Sequence, residues 1–268
     1  MKTENFLIAG NDVKMTECKN FLVSRGYQAV NCTDDEFFKK IESFKNIILP
    51  LPTEADGVII GTGTDIEFLL NAIQEQQRIF FGNLKTNPFG ENGYCYYTDE
   101  AFLLYNSGLT ARGVLKLISD NVGSDITELK IAVTGFGKCG EAISRLLVAE
   151  KAEVTVFSRS LASRINSQGI GCIWKNIIEI NRLMTDYDVI VNTVPYNIIS
   201  GKVLDLLSDK NMYIEIASEP YGFDASSVDI SRFKYINGYS LPGRFAPESA
   251  GRNIAQTVLR IIKEGEYG

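Results

Sequence analysis

Residues 130–142 read KIAVTGFGKCGEA: an apolar run of the kind found in strands buried on both faces, then glycines at 135, 137 and 140, then the opening of a helix. A strand that feeds a glycine turn and a helix start turns backbone N–H groups and the positive helix end toward an anion. In a G-x-G-x-x-G run the first glycine permits the tight turn and the second lets backbone approach a pyrophosphate. The third lets helix and strand pack closely. Gly135, Phe136, Gly137, Lys138, Cys139 and Gly140 are therefore expected to cradle a dinucleotide. The competing reading is a glycine turn that serves packing alone.

The next strand refines the cofactor. Residues 153–160 read EVTVFSRS, and an NAD site usually ends this strand with an acid that accepts from the adenosine ribose hydroxyls. Here the strand ends in Ser158, Arg159 and Ser160, with no carboxylate. The two hydroxyls can donate to a 2′-phosphate, and the guanidinium can pair with it or stack on adenine. The expectation is NADP, with NAD as the alternative and a solvent-facing arginine as the plain reading.

Outward from this core the pattern alternates. Helix 138–151, strand 154–158, helix 161–168, strand 171–174, a helix from about 176, and strands 188–192, 212–218 and 234–238 precede a helix over 248–263, with Pro247 in its first turn. Upstream lie strand 6–10, helix 12–25, strand 26–30, and an apolar run 46–52 stopped by prolines. Thr64 and Glu67 read as a capping box opening a helix to about Gln77, and 78–83 and 94–97 read as strands around a turn-rich 87–93. Gly61 and Gly63 lack a third glycine and read as a hairpin turn. Residues 105–113 read as a connection, with Thr110 the N-cap of a linker helix 110–121. The expected fold class is α/β in two domains. An N-terminal α/β domain covers 1–108, with the C-terminal helix 248–268 packing back on it, and a Rossmann NAD(P)-binding domain covers 109–247.

Ligands of open parallel sheets lie beyond the carboxyl ends of the strands. Asn192, Thr193, Val194 and Pro195 are expected to border a nicotinamide ribose, with Ala217 and Ser218 following the next strand. Glu219 is the acid in these loops and a candidate base. Arg112, Arg244 and Arg252 are candidate carboxylate clamps, each competing with an ordinary surface role. Ser107 and Thr110, at the domain junction, can hydrogen-bond a substrate.

Composition narrows the classes. The 268 residues suffice for two cores, and 45% hydrophobic with 22% charged residues is globular. A net charge of −6 argues against nucleic acid and leaves anionic ligands dependent on local arginines and helix ends. Five scattered cysteines with no C-x-x-C pair, and no signal peptide or membrane-length apolar run, point to reduced thiols in a cytoplasmic enzyme. Cys139 in the glycine loop reads as a small filler. There is no histidine, which removes a His–Asp dehydrogenase relay and the commonest metal ligand, and no metal is expected.

Taken in order, Tyr105-Asn106-Ser107-x-x-Thr110-x-x-Gly113, Gly135-x-Gly137-x-x-Gly140, Asn192-Thr193-Val194-Pro195 and Leu241-Pro242-Gly243-x-x-Ala246-Pro247-x-Ser249-Ala250-Gly251 resemble the dipicolinate synthase A-subunit family. The similarity runs along essentially the whole chain, and the last motif is the most specific. The resemblance implies a formate/glycerate dehydrogenase-like architecture and NADP-dependent oxidation of dihydrodipicolinate to dipicolinate (pyridine-2,6-dicarboxylate). It further implies, as partner, the flavoprotein-like B subunit of dipicolinate synthase, in the cytoplasm of the mother cell of a sporulating bacterium. A homo-oligomer is compatible with it. Ser107 and Thr110 carry over better than Arg112 and Arg244. Aromatisation drives the oxidation downhill, so positioning and carboxylate binding can carry catalysis without a strong base. Two rivals stand beside this: a 2-hydroxy or amino acid dehydrogenase of related fold, which the lack of histidine disfavours, and a cofactor-binding subunit whose partner does the chemistry.

Overall fold

The computed structural model describes residues 4–33, 39–224, 226 and 228–265. The chain divides into two compact units, Met1–Asn106 with Pro242–Gly268, and Ser107–Leu241. The last three residues of the expected helix 248–268 lie outside the described residues.

In the first unit β1 (Asn5–Ala9), α1 (Val13–Ser24), β2 (Gln28–Cys32) and β3 (Asn46–Ile48) precede three short antiparallel strands, β4 (Glu54–Ala55), β5 (Val58–Ile59) and β6 (Thr64–Asp65). Then come α2 (Ile66–Ala72), β7 (Arg78–Phe81) and β8 (Gly93–Cys95). The main sheet is parallel, in the order β2-β1-β3-β7-β8. Successive residues of β1 serve opposite faces. Phe6 and Ile8 join a core with Met15, Cys18 and Leu22 of α1, and Leu7 and Ala9 join another with Ile47, Ile79 and Leu69. A sheet covered on both faces needs this unbroken apolar run.

Helix α3 (Glu100–Asn121) follows β8 after a single 3-10 turn, and the unit boundary falls within it. Its start overturns the expectation that Thr110 caps a linker helix: Thr110 is mid-helix. The N-terminal signal lies at Asp99, whose carboxylate accepts from the Phe102 amide at 2.7 Å. Asn106, Ser107 and Gly108 are weak helix formers, but the packing of the helix carries it through them. The capping box at Thr64 and Glu67 does not form either. Thr64 and Asp65 pair with β5, α2 starts at Ile66 with no side-chain cap, and it ends at Ala72. The buried amide of Gln77 instead donates to the carbonyls of Ile41 and Phe44, at 2.6 and 2.7 Å.

The second unit runs β9 (Lys130–Thr134), α4 (Lys138–Ala149), β10 (Glu153–Ser158), α5 (Leu161–Gly169), β11 (Ile173–Asn176), α6 (Ile180–Leu183), β12 (Val189–Asn192), α7 (Gly201–Leu204), β13 (Met212–Glu215) and β14 (Lys234–Asn237). All six strands are parallel, in the order β11-β10-β9-β12-β13-β14. This is the doubly wound dinucleotide-binding order, with its winding reversal between β9 and β12. The helix expected from 176 is one turn of α-helix between two 3-10 turns, opened by a capping box between Asn176 and Glu179.

The chain closes with a short helix α8 (Leu241–Phe245), not anticipated in the sequence, and α9 (Pro247–Gly265). In the first unit α9 lies along α1 so closely that a Cβ at Gly251 would meet the Lys14 carbonyl oxygen at 2.0 Å. Ile254, Val258 and Ile262, one turn apart, bury one stripe of α9. Each contributes about 2 kcal/mol. No described helix is long and apolar enough to cross a membrane, and no described cluster of His, Cys, Asp or Glu could hold a metal.

Candidate functional site

At the reversal point of the second sheet the three glycines are needed for three different reasons. Gly135 follows β9 at φ +84°, its N–H donates to the Phe157 carbonyl at 2.8 Å, and a Cβ there would lie 2.7 Å from Thr193 Oγ1. A Cβ at Gly140 would come within 2.4 Å of the Gly135 carbonyl oxygen, so α4 can approach the turn only without one. Gly137, the N-cap of α4, has ordinary extended backbone, and a Cβ there would meet no atom within 4 Å. Among the described residues nothing demands glycine at 137. A ligand lying against the backbone would.

These residues line a cavity of about 530 Å³, within the range of about 300–1,000 Å³ usual for cofactor sites. Its walls carry Lys138 and Arg159 and no Asp or Glu, on a chain of net charge −6. Local positive charge and a helix N-terminus thus meet in one place. Arg159 is exposed and forms no ion pair among the described residues. Ser158 is buried and accepts from the Trp174 indole at 2.9 Å, keeping its own proton to donate. Ser160 is the N-cap of α5, accepting from the Ser163 amide at 3.0 Å. Ser163, Ile177, Tyr196 and Ile198 complete the lining. The apolar ones follow strand ends, a position that sequence patterning does not separate from ordinary core.

Thr193, Val194 and Pro195 also line the cavity, and Asn192 does not. Asn192 is fully buried, and its side chain holds the turn in shape. Its Oδ1 accepts from Thr134 Oγ1 at 2.5 Å and from the Val194 amide at 3.2 Å. Its Nδ2 donates to the Val194 carbonyl and to Glu215. Glu215, at the end of β13, was not anticipated as a site residue. Its carboxylate accepts from Asn192, from the Tyr213 hydroxyl at 3.2 Å, and from the Ala217 and Gly222 amides at 3.0 and 2.9 Å. Burial lifts its pKa above the usual carboxylate range, and the donors pull part of that back. No local signal in the sequence separates it from other strand-end acids. Ala217 is buried and Ser218 exposed, and neither lines the cavity.

The expected catalytic residues are not gathered in this cavity. Ser107 and Thr110 are buried on α3, and both hydrogen-bond the Cys139 thiol, with Ser107 Oγ 3.6 Å from its sulfur. Burial pushes that thiol up, and the two hydroxyls offset part of the effect. Both side chains thus brace the first turn of α4. Glu219 is exposed and accepts from the Tyr221 hydroxyl at 3.2 Å. Arg252 is paired with Glu17 at 2.6 Å. Arg244 is exposed, with its guanidinium 5.9 Å from the Phe245 ring centre, and Arg112 is exposed on α3.

No protein-family model matches the chain. The A subunit of dipicolinate synthase from Bacillus subtilis (strain 168) is 27% identical over 250 residues, covering 88% of this chain and 83% of that protein. The crystal structure of the dipicolinate synthase A subunit from Bacillus halodurans superposes with a TM-score of 0.84 at 21% identity, covering 96% of this chain and 97% of that one. A D-isomer specific 2-hydroxyacid dehydrogenase from Lactobacillus delbrueckii ssp. bulgaricus, solved in its NAD-complexed form, superposes with a TM-score of 0.60 at 11% identity, covering 98% of each chain. In sequence and in architecture, then, the chain resembles the A subunit of dipicolinate synthase, and it shares the two-unit α/β fold of the 2-hydroxyacid dehydrogenases.

Proposed function

We propose that this chain oxidises dihydrodipicolinate to dipicolinate with NADP⁺ as hydride acceptor, as the A subunit of a dipicolinate synthase acting during sporulation. The observation that carries the cofactor half is Gly137: an open backbone position at a helix start, in a cavity whose charged walls are Lys138 and Arg159 alone. The NAD complex of the 2-hydroxyacid dehydrogenase of like fold supports a nicotinamide cofactor. The relative's name supports the substrate and, because it names one subunit of a synthase, it supports a partner chain too.

The chemistry supplied by the bound nicotinamide is hydride acceptance: a hydride leaves the dihydropyridine ring, one proton goes to water, and the aromatic diacid results. The first turn of α4 and the Gly135–Gly137 backbone hold the pyrophosphate. Arg159 pairs with the 2′-phosphate, and Ser158 donates to it. Thr193, Val194 and Pro195 border the nicotinamide ribose, in a turn shaped by Asn192 and Glu215. Arg112 and Arg244 are the candidate arginines for a substrate carboxylate.

The test is a spectrophotometric assay of the purified chain, alone and with its partner subunit. Dihydrodipicolinate should raise the absorbance of reduced nicotinamide with NADP⁺ and do so more weakly with NAD⁺. No reduction with either cofactor, with or without the partner, contradicts the proposal.

A further inference from the structure

The first unit has its own winding reversal. The chain leaves β1 for β2 on one side and returns to β3 on the other, so the crevice beyond the carboxyl ends of β1 and β3 is where an open α/β sheet takes a ligand. Two backbone segments frame it: 10–12 after β1 and 49–53 after β3. The turn at Gly61 packs over Gly10, where a Cβ on Gly61 would lie 3.1 Å from the Gly10 Cα.

A cation reaches this place. Lys14, in the first turn of α1, folds its side chain across the reversal point so that Nζ donates to the Leu51 carbonyl. The ammonium also sits beside Gly243 of α8, where a Cβ would lie 3.9 Å from Nζ and meet nothing nearer. Lys14 is half-buried, and it forms no ion pair among the described residues. Asp12, the N-cap of its helix, accepts from the Met15 amide at 2.8 Å. Burial presses the Lys14 pKa below the ordinary lysine value, while Asp12 and Cys18 pull it back up. A partly desolvated ammonium held by a backbone carbonyl, with no carboxylate partner, gains from an anion that completes its surroundings.

We propose that Lys14 is a carboxylate-binding residue, receiving an acid group of a small organic anion at the β1/β3 reversal point. An ammonium has three donors, and the Leu51 carbonyl takes one. The other two suit the paired oxygens of a carboxylate, whose single charge the lysine balances. A phosphate dianion would leave one charge uncompensated. The choice of dipicolinate as the organic acid rests on the proposed function.

The experiment is lysine labelling of the full chain with an amine-acylating reagent, read residue by residue by peptide mass spectrometry. It is run without anion and with dipicolinate, succinate or inorganic phosphate. Dipicolinate should slow acylation of Lys14 several-fold and leave exposed Lys116 unchanged. In calorimetry Lys14→Met should bind dipicolinate about 10- to 100-fold more weakly and NADP⁺ as the wild type does. Protection by succinate but not dipicolinate upholds the carboxylate site and contradicts the proposed substrate. The assignment is overturned if phosphate protects as well as either carboxylate, if no anion changes the labelling, or if Lys14→Met keeps wild-type affinity for the acid that protects.

Discussion

The side-chain amide of Asn192 donates to the buried carboxylate of Glu215 at 2.7 Å, tying together the ends of β12 and β13. Through Asn192 the same contact reaches Thr193 and Val194, which line the cavity and press against Gly135. Glu215 therefore acts on the proposed cofactor site at one remove. Glu215→Gln keeps the shape but sets an amide NH₂ against the N–H donors of Asn192, Ala217 or Gly222. The expected outcome is a loss of about 1–3 kcal/mol in denaturant unfolding, with weaker NADP⁺ binding in the fraction that stays folded. Unchanged affinity in a folded Glu215→Gln protein would remove its positioning role.

The three loop glycines separate packing from ligand binding. Gly135→Ala puts a side chain at positive φ and into Thr193, and Gly140→Ala drives a Cβ into the Gly135 carbonyl oxygen. Each should destabilise the fold by about 1–3 kcal/mol. Gly137→Ala should keep stability within about 1 kcal/mol of wild type. Its dissociation constant for NADP⁺ should nevertheless rise on the order of tenfold, about 1.4 kcal/mol. Chemical denaturation and calorimetry on the three variants check the split.

The proposed preference for NADP⁺ rests on Arg159. Arg159→Ala should weaken NADP⁺ binding about 10- to 100-fold, as loss of a charge-assisted contact does, and leave NAD⁺ nearly unaffected. Dissociation constants for both cofactors decide it. Equal losses for the two would place Arg159 on a shared part of the dinucleotide.

Acid stability should depend on Asp99. Burial alone would raise its pKa, but the Phe102 amide and the Arg260 guanidinium prevail and hold it below the ordinary aspartate value. A depressed folded pKa means the unfolded chain binds the proton more tightly. The contribution is therefore full above the unfolded value, near about 3.9, and fades as pH falls through the folded one. Melting temperatures of wild type and Asp99→Asn should differ most near neutral pH and converge in strong acid. Arg260 also loses its partner in this variant, so Arg260→Met should show the same convergence.

The parallel strands were legible because each is a run of apolar residues between turn formers, and the glycine loop because its spacing is tied to a ligand's shape. Other features depended on tertiary neighbours. Helix α3 starts at Glu100 because Asp99 finds both the Phe102 amide and Arg260 from α9, a partner 161 residues away. Thr64 mimics a cap but pairs with β5, because strand pairing won over a local side-chain bond. Glu215 and Lys14 look like surface charges in sequence, and only the fold buries the first and half-buries the second. Asn192, read as a cofactor contact, is one layer behind the cavity wall for the same reason.

Thermal unfolding of the wild-type chain with rising NADP⁺ or NAD⁺, paired with calorimetry, bears most directly on whether the Gly135–Gly140 cavity holds a phosphorylated dinucleotide. At a hundredfold excess over the dissociation constant, stabilisation of about 2.7 kcal/mol is expected, with NADP⁺ reaching it at lower concentration than NAD⁺. Neither heat nor a rise in melting temperature with either nucleotide would contradict the account.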